Sequence, residues 1–255
     1  FLYRLFIMSN LIPEFSFEDI ERGDSSSIDL LKNALENHGF FSISEHGLSN
    51  DLINRCYQSS KEFFDLDTSL KNSYSSVGSK GARGYTPKGI ETAVGEKIAD
   101  QKEFWHHGPI IDKTYDKKIP KNLLIDEIPD FNKNFDELYY ELHKIGSRVL
   151  SVICLSLAID KDYFEPWVKK GNSLLRSIHY PPVDPSLNPY RARAHEDINL
   201  ITLLIGAAEG GLEVLSKDGS WIKVAPSSDA IVCNIGDMMQ LVTDHKLKST
   251  THRVI

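Results

Sequence analysis

Cysteine is scarce in this chain. Its 255 residues include only Cys56, Cys154 and Cys233, and no two of them stand at a Cys-x-x-Cys or Cys/His spacing. A disulfide framework and a structural zinc site therefore have no basis in the sequence, and a reduced, cytoplasmic setting is expected. Long apolar runs are missing too. Nothing approaches the roughly 20 consecutive apolar residues of a membrane-spanning helix, and the opening FLYRLFIMSNLIPEF is broken by Arg4 and lacks a small-residue cleavage site. Met8 offers a more ordinary start, so residues 1–7 are expected to be upstream translation or a remnant. Positive charge is in deficit: 29 Lys and Arg face 36 Asp and Glu, a formal net charge of −7, with no long basic run. Nucleic acid and anionic membrane are accordingly not expected as partners, and a small molecule is. Repeats and low-complexity tracts are absent.

What is present reads as one soluble globular domain over residues 8–255, with 41% hydrophobic and 25% charged residues. Asp24-Ser25-Ser26-Ser27 offers helix caps ahead of Ile28, Leu31, Ala34 and Leu35 at helical spacing, and Gly39 is a stop. Phe40–Ser44 reads as a strand, and Ser49 caps a second helix carrying Leu52, Ile53, Cys56, Phe63 and Phe64. Residues 75–100, rich in Gly, Ser and Lys, read as a long surface segment. Phe131, Phe135, Leu138, Leu142, Ile145, Val149, Ile153 and Leu157 repeat every three or four residues and predict a long helix over 131–159. Beyond Gly171 the texture changes to short strands, expected near 174–180, 199–205, 211–216, 220–225, 230–234, 238–242 and 248–255, with a hairpin signal at Lys217-Asp218-Gly219. Three regions follow from this: helices and a strand over 8–110, a supporting long helix over 111–170, and a β core over 171–255. Many short strands with turn chemistry imply a sandwich, barrel or jelly roll, with any chemistry inside the β core or at its mouth.

His195-Glu196-Asp197 leads into one of these strands. Strand side chains alternate faces, so residues 195 and 197 point one way and Glu196 the other. That offers an imidazole and a carboxylate to one metal, and His252, in Thr250-Thr251-His252-Arg253, is the natural third ligand from another strand. Two histidines and a carboxylate on one face of an octahedron leave three positions open, which suits non-heme Fe(II) binding a co-substrate and O2. A lone His-x-Asp is a common tripeptide, and the bland alternatives are a strand-end His195 bonded to its own Asp197 and an edge-strand His252. His106-His107 are adjacent, so their side chains diverge and cannot chelate one ion. His38 and His46 read as structural, and Asp237 as turn chemistry.

The surrounding motifs resemble those of the isopenicillin-N-synthase-like, 2-oxoglutarate/Fe(II)-dependent oxygenases, especially bacterial members. The stretch from His195 to Leu204 is similar to the family's first metal motif. So are Gly210-Gly211-Leu212-Glu213-Val214, Asn234-Ile235-Gly236-Asp237 and Ser249-Thr250-Thr251-His252-Arg253-Val254. Asn37-His38-Gly39-Phe40-Phe41 with His46-Gly47 matches its N-terminal block, and Arg83-Gly84-Tyr85 and Lys102-Glu103-Phe104-Trp105 its middle segment.

The resemblance implies a mainly β, cupin-like double-stranded β-helix (jelly roll) with flanking helices. It implies Fe(II) on His195, Asp197 and His252, with 2-oxoglutarate and O2 as co-substrates in the oxidation of a small organic molecule. Tyr180, in Ile178-His179-Tyr180-Pro181-Pro182, matches a tyrosine that bonds the 2-oxoglutarate carboxylate. Arg176, Ile178 and Tyr180 share a strand face, read as barrel interior, so Arg176 joins the candidates for the co-substrate site. Arg83 is a candidate for a substrate carboxylate, against the reading of a solvated loop arginine. Ile178 stands where plant relatives carry Asn, and the family's Arg-x-Ser pair would fall beyond Ile255, so the chain is expected to be the truncated front of a longer protein. Two alternatives stay open: an oxidase of isopenicillin N synthase type that needs no 2-oxoglutarate, and a jelly-roll protein that binds metal or ligand without catalysis. Replacing His195 by Ala is expected to leave protein without stoichiometric Fe(II), as read by metal analysis after anaerobic loading.

Overall fold

The computed structural model describes residues 12–75, 82–92, 99–182, 190–206 and 210–255. Residues 1–7 and parts of the 75–100 segment lie outside the described residues. The chain divides into two compact units, one of residues 1–46, 148–163 and 189–255, the other of 47–147 and 164–188.

In chain order the described helices are α1 (Phe17–Glu21), α2 (Ser25–Asn37), α3 (Asn50–Phe64), α4 (Thr68–Ser73), α5 (Phe131–Ser156), α6 (Glu165–Val168) and α7 (Asp237–Val242). The strands are β1 (Glu14–Ser16), β2 (Phe40–Ser44), β3 (Gly84–Thr86), β4 (Glu103–His107), β5 (Leu175–His179), β6 (Ala192–His195), β7 (Ile201–Leu204), β8 (Leu212–Leu215), β9 (Trp221–Lys223), β10 (Ile231–Ile235) and β11 (His252–Val254).

The first unit holds two four-stranded sheets, ordered β1-β2-β10-β7 and β6-β11-β8-β9. Phe40 and Val232 from one sheet meet Leu212 and Val214 from the other, with Val224, in a shared apolar core. Two facing sheets of short, mostly antiparallel strands make the expected cupin-like jelly roll. Helix α2 starts as its sequence directs: the Asp24 carboxylate accepts the Ser27 N–H at 2.9 Å, and Leu31, Ala34 and Leu35 turn to the core. The β8–β9 hairpin turns through Gly219 at φ +85°, as Lys217-Asp218-Gly219 foretold.

One strand expectation fails. Residues 238–242 form helix α7, with Met239 buried and Met238 and Leu241 exposed. Met, Gln and Leu are good helix formers, and a short apolar run carries no period of its own. Asp237 accordingly opens a helix instead of sitting in a turn between strands. Strands β1, β3, β4 and β6 were not foreseen: β3, with Gly84 and Tyr85 buried, falls inside the stretch read as a surface segment, and β4 hid because all five of its residues are buried and no polar alternation marks it.

The second unit carries the sheet β3-β4-β5. Phe63, Phe64, Tyr85, Trp105, Ile125, Ile128, Phe131 and Phe135 form its core, with the Phe63 ring edge-on to Trp105 at 5.0 Å. Beside it lies a buried ionic group. Lys71 Nζ donates to Glu103 Oε2 at 2.9 Å and to the Phe64 carbonyl at 2.9 Å, Tyr85 donates to the same carboxylate, and His179 Nδ1 meets Glu103 Oε1 at 2.8 Å. These bonds tie α4, β3, β4 and β5 together. His106 and His107 diverge as expected, toward Arg176 at 2.7 Å and Asp136 at 2.7 Å respectively. Among the described residues no helix is long and apolar enough to cross a membrane.

Burial works against the Glu103 charge, but the bonds from Tyr85, His179 and Lys71 hold its carboxyl below the usual range. Its stabilisation is therefore present above the unfolded-chain carboxylate range and is lost as pH falls through the depressed value. Glu103→Ala leaves the Lys71 ammonium buried without its partner and is expected to lower unfolding free energy by about 3–5 kcal/mol in urea titration.

Candidate metal centre

Antiparallel pairing of β6 with β11 places His195 directly opposite His252, while Val214 of β8 flanks His252 on its other side. The cross-strand pair Glu213–Arg253 fixes this register: Arg253 Nε and Nη2 reach Glu213 Oε2 at 2.8 and 2.7 Å, and the guanidinium lies 3.9 Å over the Trp221 ring. A one-residue slip of β11 would turn His252 to the opposite face. Asp197 lies two residues past the end of β6, in the turn toward β7. Its Oδ1 is 3.8 Å from His195 Nε2 and 3.9 Å from His252 Nε2, and the three ligand atoms lie within 4.8 Å of one another. The structure thus brings together the three residues singled out in the sequence, through a turn where strand alternation was expected. Glu196 points away and accepts a bond from the Thr251 hydroxyl.

Each ligand's other polar atom is already engaged. His195 Nδ1 meets the Arg193 carbonyl at 2.7 Å and His252 Nδ1 meets the Thr250 carbonyl at 3.1 Å. A carbonyl only accepts, so each Nδ1 carries the proton and each Nε2 lone pair is left for a metal. Asp197 Oδ2 accepts from Thr202 Oγ1 at 2.6 Å and Asn234 Nδ2 at 2.9 Å, leaving Oδ1 toward the two imidazoles. Asn199 Nδ2 in turn donates to Thr202 Oγ1 at 2.9 Å. Burial raises the cost of the Asp197 charge, yet His252, the bonds from Asn234 and Thr202, and His195 together hold its carboxyl below the ordinary range. Burial, with His195 adding to it, pushes His252 below the usual imidazole range, which keeps it neutral and able to ligate. One anionic oxygen and two neutral ring nitrogens fit a divalent transition metal such as iron.

The β7–β10 ladder explains the supporting pair, because Asn234 sits opposite Thr202 in its register. Asn234 is 4% exposed in a strand otherwise reading Ile-Val-Cys-Ile, and a buried amide in an apolar strand demands partners. That was the signal available in the sequence, where Asn234 figured only as part of a motif. Gly236 serves the same turn. A Cβ there would stand 2.2 Å from the Asn199 carbonyl oxygen and 2.8 Å from that of Asp197, while the Asp237 N–H donates to the Asp197 carbonyl at 2.7 Å.

The remaining candidates belong to the second unit. Tyr180, half-buried, follows β5, and burial raises its phenol pKa. Arg176 and Ile178 do share a face of β5, where the ladder sets them beside the buried His106 and Phe104 of β4; Leu175, Ser177 and His179 lie on the other face. Arg176 lies 4.4 Å over the Phe104 ring, donates from Nε to His106 Nε2 at 2.7 Å and meets Glu91 at 3.3 Å. Arg83 is no solvated loop residue. It is 1% exposed, packs against Gly108, and donates to Asn172 Oδ1 at 2.7 Å and the Ala82 carbonyl at 2.6 Å.

Residues 12–127 match the family model described as the N-terminal region of the non-haem dioxygenase in morphine synthesis, and residues 171–255 match the 2OG-Fe(II) oxygenase superfamily. A 2-oxoglutarate-dependent dioxygenase from Didymella fabae is 30% identical over 246 residues, covering 89% of this chain and 74% of that protein. This chain belongs to the 2-oxoglutarate/Fe(II)-dependent oxygenases. A crystal structure of a 2OG-Fe(II) oxygenase family protein from Caulobacter crescentus superposes on the oxygenase with a TM-score of 0.85 at 40% identity, over 96% of this chain and 80% of that one. A full-length Neurospora crassa protein crystallised in complex with alpha-KG and thymine gives a TM-score of 0.82 at 25% identity, over 96% and 80% of the two chains. The oxygenase is thus an oxidoreductase with Fe(II) and 2-oxoglutarate as cofactor and co-substrate.

Asn234→Ala removes one of the two bonds that orient Asp197. It is expected to weaken Fe(II) affinity about tenfold to a hundredfold, measured by anaerobic titration.

Proposed function

We propose that the oxygenase holds Fe(II) on His195 Nε2, Asp197 Oδ1 and His252 Nε2 and oxidises a small organic molecule there. The observation that carries this reading is the convergence of three ligand atoms whose back-side atoms are all spoken for, so that the site is oriented before any ion arrives. Bound iron would supply the redox chemistry, coupling the conversion of 2-oxoglutarate and O2 to succinate and CO2 with hydroxylation or a related oxidation of the substrate. The chain's own residues do the rest. His195 and His252 present lone pairs fixed by their backbone carbonyl bonds, Asp197 contributes one anionic oxygen, and Asn234 and Thr202 keep its other oxygen turned away.

Tyr180 and Arg176 are the residues of this proposal for the 2-oxoglutarate carboxylates. A phenol whose pKa is raised by burial remains an O–H donor, and a carboxylate accepts from it. Arg176, braced by Phe104 and His106, offers a planar fork of the kind that pairs with carboxylate. The reading takes residues 8–255 as one oxygenase domain. A reducing cytoplasmic setting is part of it, supported by three buried cysteines that form no disulfide among the described residues.

Anaerobic addition of 2-oxoglutarate to the Fe(II)-loaded protein is expected to raise a weak visible charge-transfer band whose titration gives the co-substrate affinity. Tyr180→Phe and Arg176→Leu should each weaken that affinity by about tenfold or more, with iron content unchanged. No band with iron demonstrably bound overturns the reading that 2-oxoglutarate binds at this iron, and full affinity in both variants overturns the roles of Tyr180 and Arg176.

A further inference from the structure

Two of the three proposed ligands, Asp197 and His252, trace back to the far earlier segment Gly39-Phe40. His252 is 8% exposed, and among the described residues its ring makes one hydrogen bond, 3.1 Å to the Thr250 carbonyl, at the long end of the normal range. His195, by contrast, is half-buried and tethered at 2.7 Å. Ring packing adds to that bond: the His195 ring lies 4.4 Å from the His252 ring between centroids, and Phe40 meets the His252 ring edge-on, with centroids 5.4 Å apart and planes at 69°. Phe40 is itself 1% exposed and seated among Leu212, Val214, Val224 and Val232, so it has nowhere to move.

The same residue reaches Asp197 by a second route. In the β2–β10 ladder Phe40 pairs with Asn234, the residue whose amide holds Asp197 Oδ2. Next to it, the Gly39 carbonyl accepts the Ile235 N–H at 2.9 Å. Gly39 also lets the chain segment before β11 come close. It has φ +65°, and a Cβ there would fall 1.9 Å from the Lys248 carbonyl oxygen and 3.2 Å from Thr250 Oγ1. Only glycine satisfies both conditions.

We infer that Gly39-Phe40 is the positioning element of the metal centre. Phe40 sets the His252 ring by direct contact and sets Asp197 through Asn234, while touching no reacting atom itself. This rests on His252 being a metal ligand, and the test separates the two claims.

Phe41, the next residue on the same strand, is equally buried but packs on Phe15, 6.3 Å between centroids, and its ladder partner is Cys233. It is the internal control. Metal-free protein is titrated with Co(II), whose visible ligand-field absorption reports both affinity and coordination geometry. Phe40→Leu is expected to bind about tenfold more weakly and to change the band shape, while Phe41→Leu stays within about twofold of the parent at a similar fall in melting temperature. Phe40→Met, close in volume, gives the same reading should the leucine variant not fold. Parent-like Co(II) affinity and spectrum in the Phe40 variant, or an equal loss in Phe41→Leu, overturns the inference. His252→Ala is measured alongside. If it keeps full affinity, the ligand assignment itself falls; if it loses the metal while the Phe40 variants bind normally, only the positioning role falls.

Discussion

Asp197 is a half-buried carboxylate with two oxygens in different circumstances, and much of the first unit is arranged around that difference. One oxygen takes two hydrogen bonds from a strand pair; the other faces two imidazoles. A buried charge in an apolar β core is tolerated only when it is compensated, and here the compensation also provides aim. The β7–β10 register places Thr202 and Asn234 side by side, the bare Gly236 backbone admits the 197–199 turn, and the first amide of α7 pins the Asp197 main chain. Remove any of these and the carboxylate is free to rotate, presenting a different atom or both.

The two histidines are secured by unlike means, which bears on how the fold tolerates change. His195 depends on a short bond to its own strand, a feature indifferent to neighbouring side chains. His252 depends on an aromatic wall and on strand β11 staying in register, for which Glu213, Arg253 and Trp221 provide a grip on the far face of the sheet. The second unit follows a different logic. Its aromatic cluster and the Lys71–Glu103–Tyr85–His179 group join four elements through one buried carboxylate, so a single charge organises that unit too.

The amphipathic helices were legible because three-and-four spacing and capping residues act locally: Asp24, Ser49 and the Phe131-to-Leu157 stripe announce α2, α3 and α5. The jelly-roll class and the convergence of His195, Asp197 and His252 were legible because motif density compensated for weak strand signals. Strand β4 was not, since a strand buried on both faces loses its alternation, and 238–242 was misread because a short apolar run carries no period. Arg83 shows the same limit from another side, as nothing in Arg-Gly-Tyr foretells a guanidinium enclosed against Gly108. The support given by Thr202 and Asn234 depends on which strands pair, and pairing is a long-range outcome that no local pattern contains.

The tethering of both imidazoles to backbone carbonyls has an electrostatic result for the whole centre. A histidine whose distal proton rests on a carboxylate brings a further negative charge to its metal; one resting on a peptide carbonyl brings none. With the ligand set proposed here, a divalent ion therefore keeps one positive charge in excess of its protein ligands. A keto acid chelating through its 2-oxo acid end would bring one carboxylate charge and carry that local sum to zero. The oxygenase would thus meet its co-substrate as an attractive, under-neutralised centre and hold it as a neutral one.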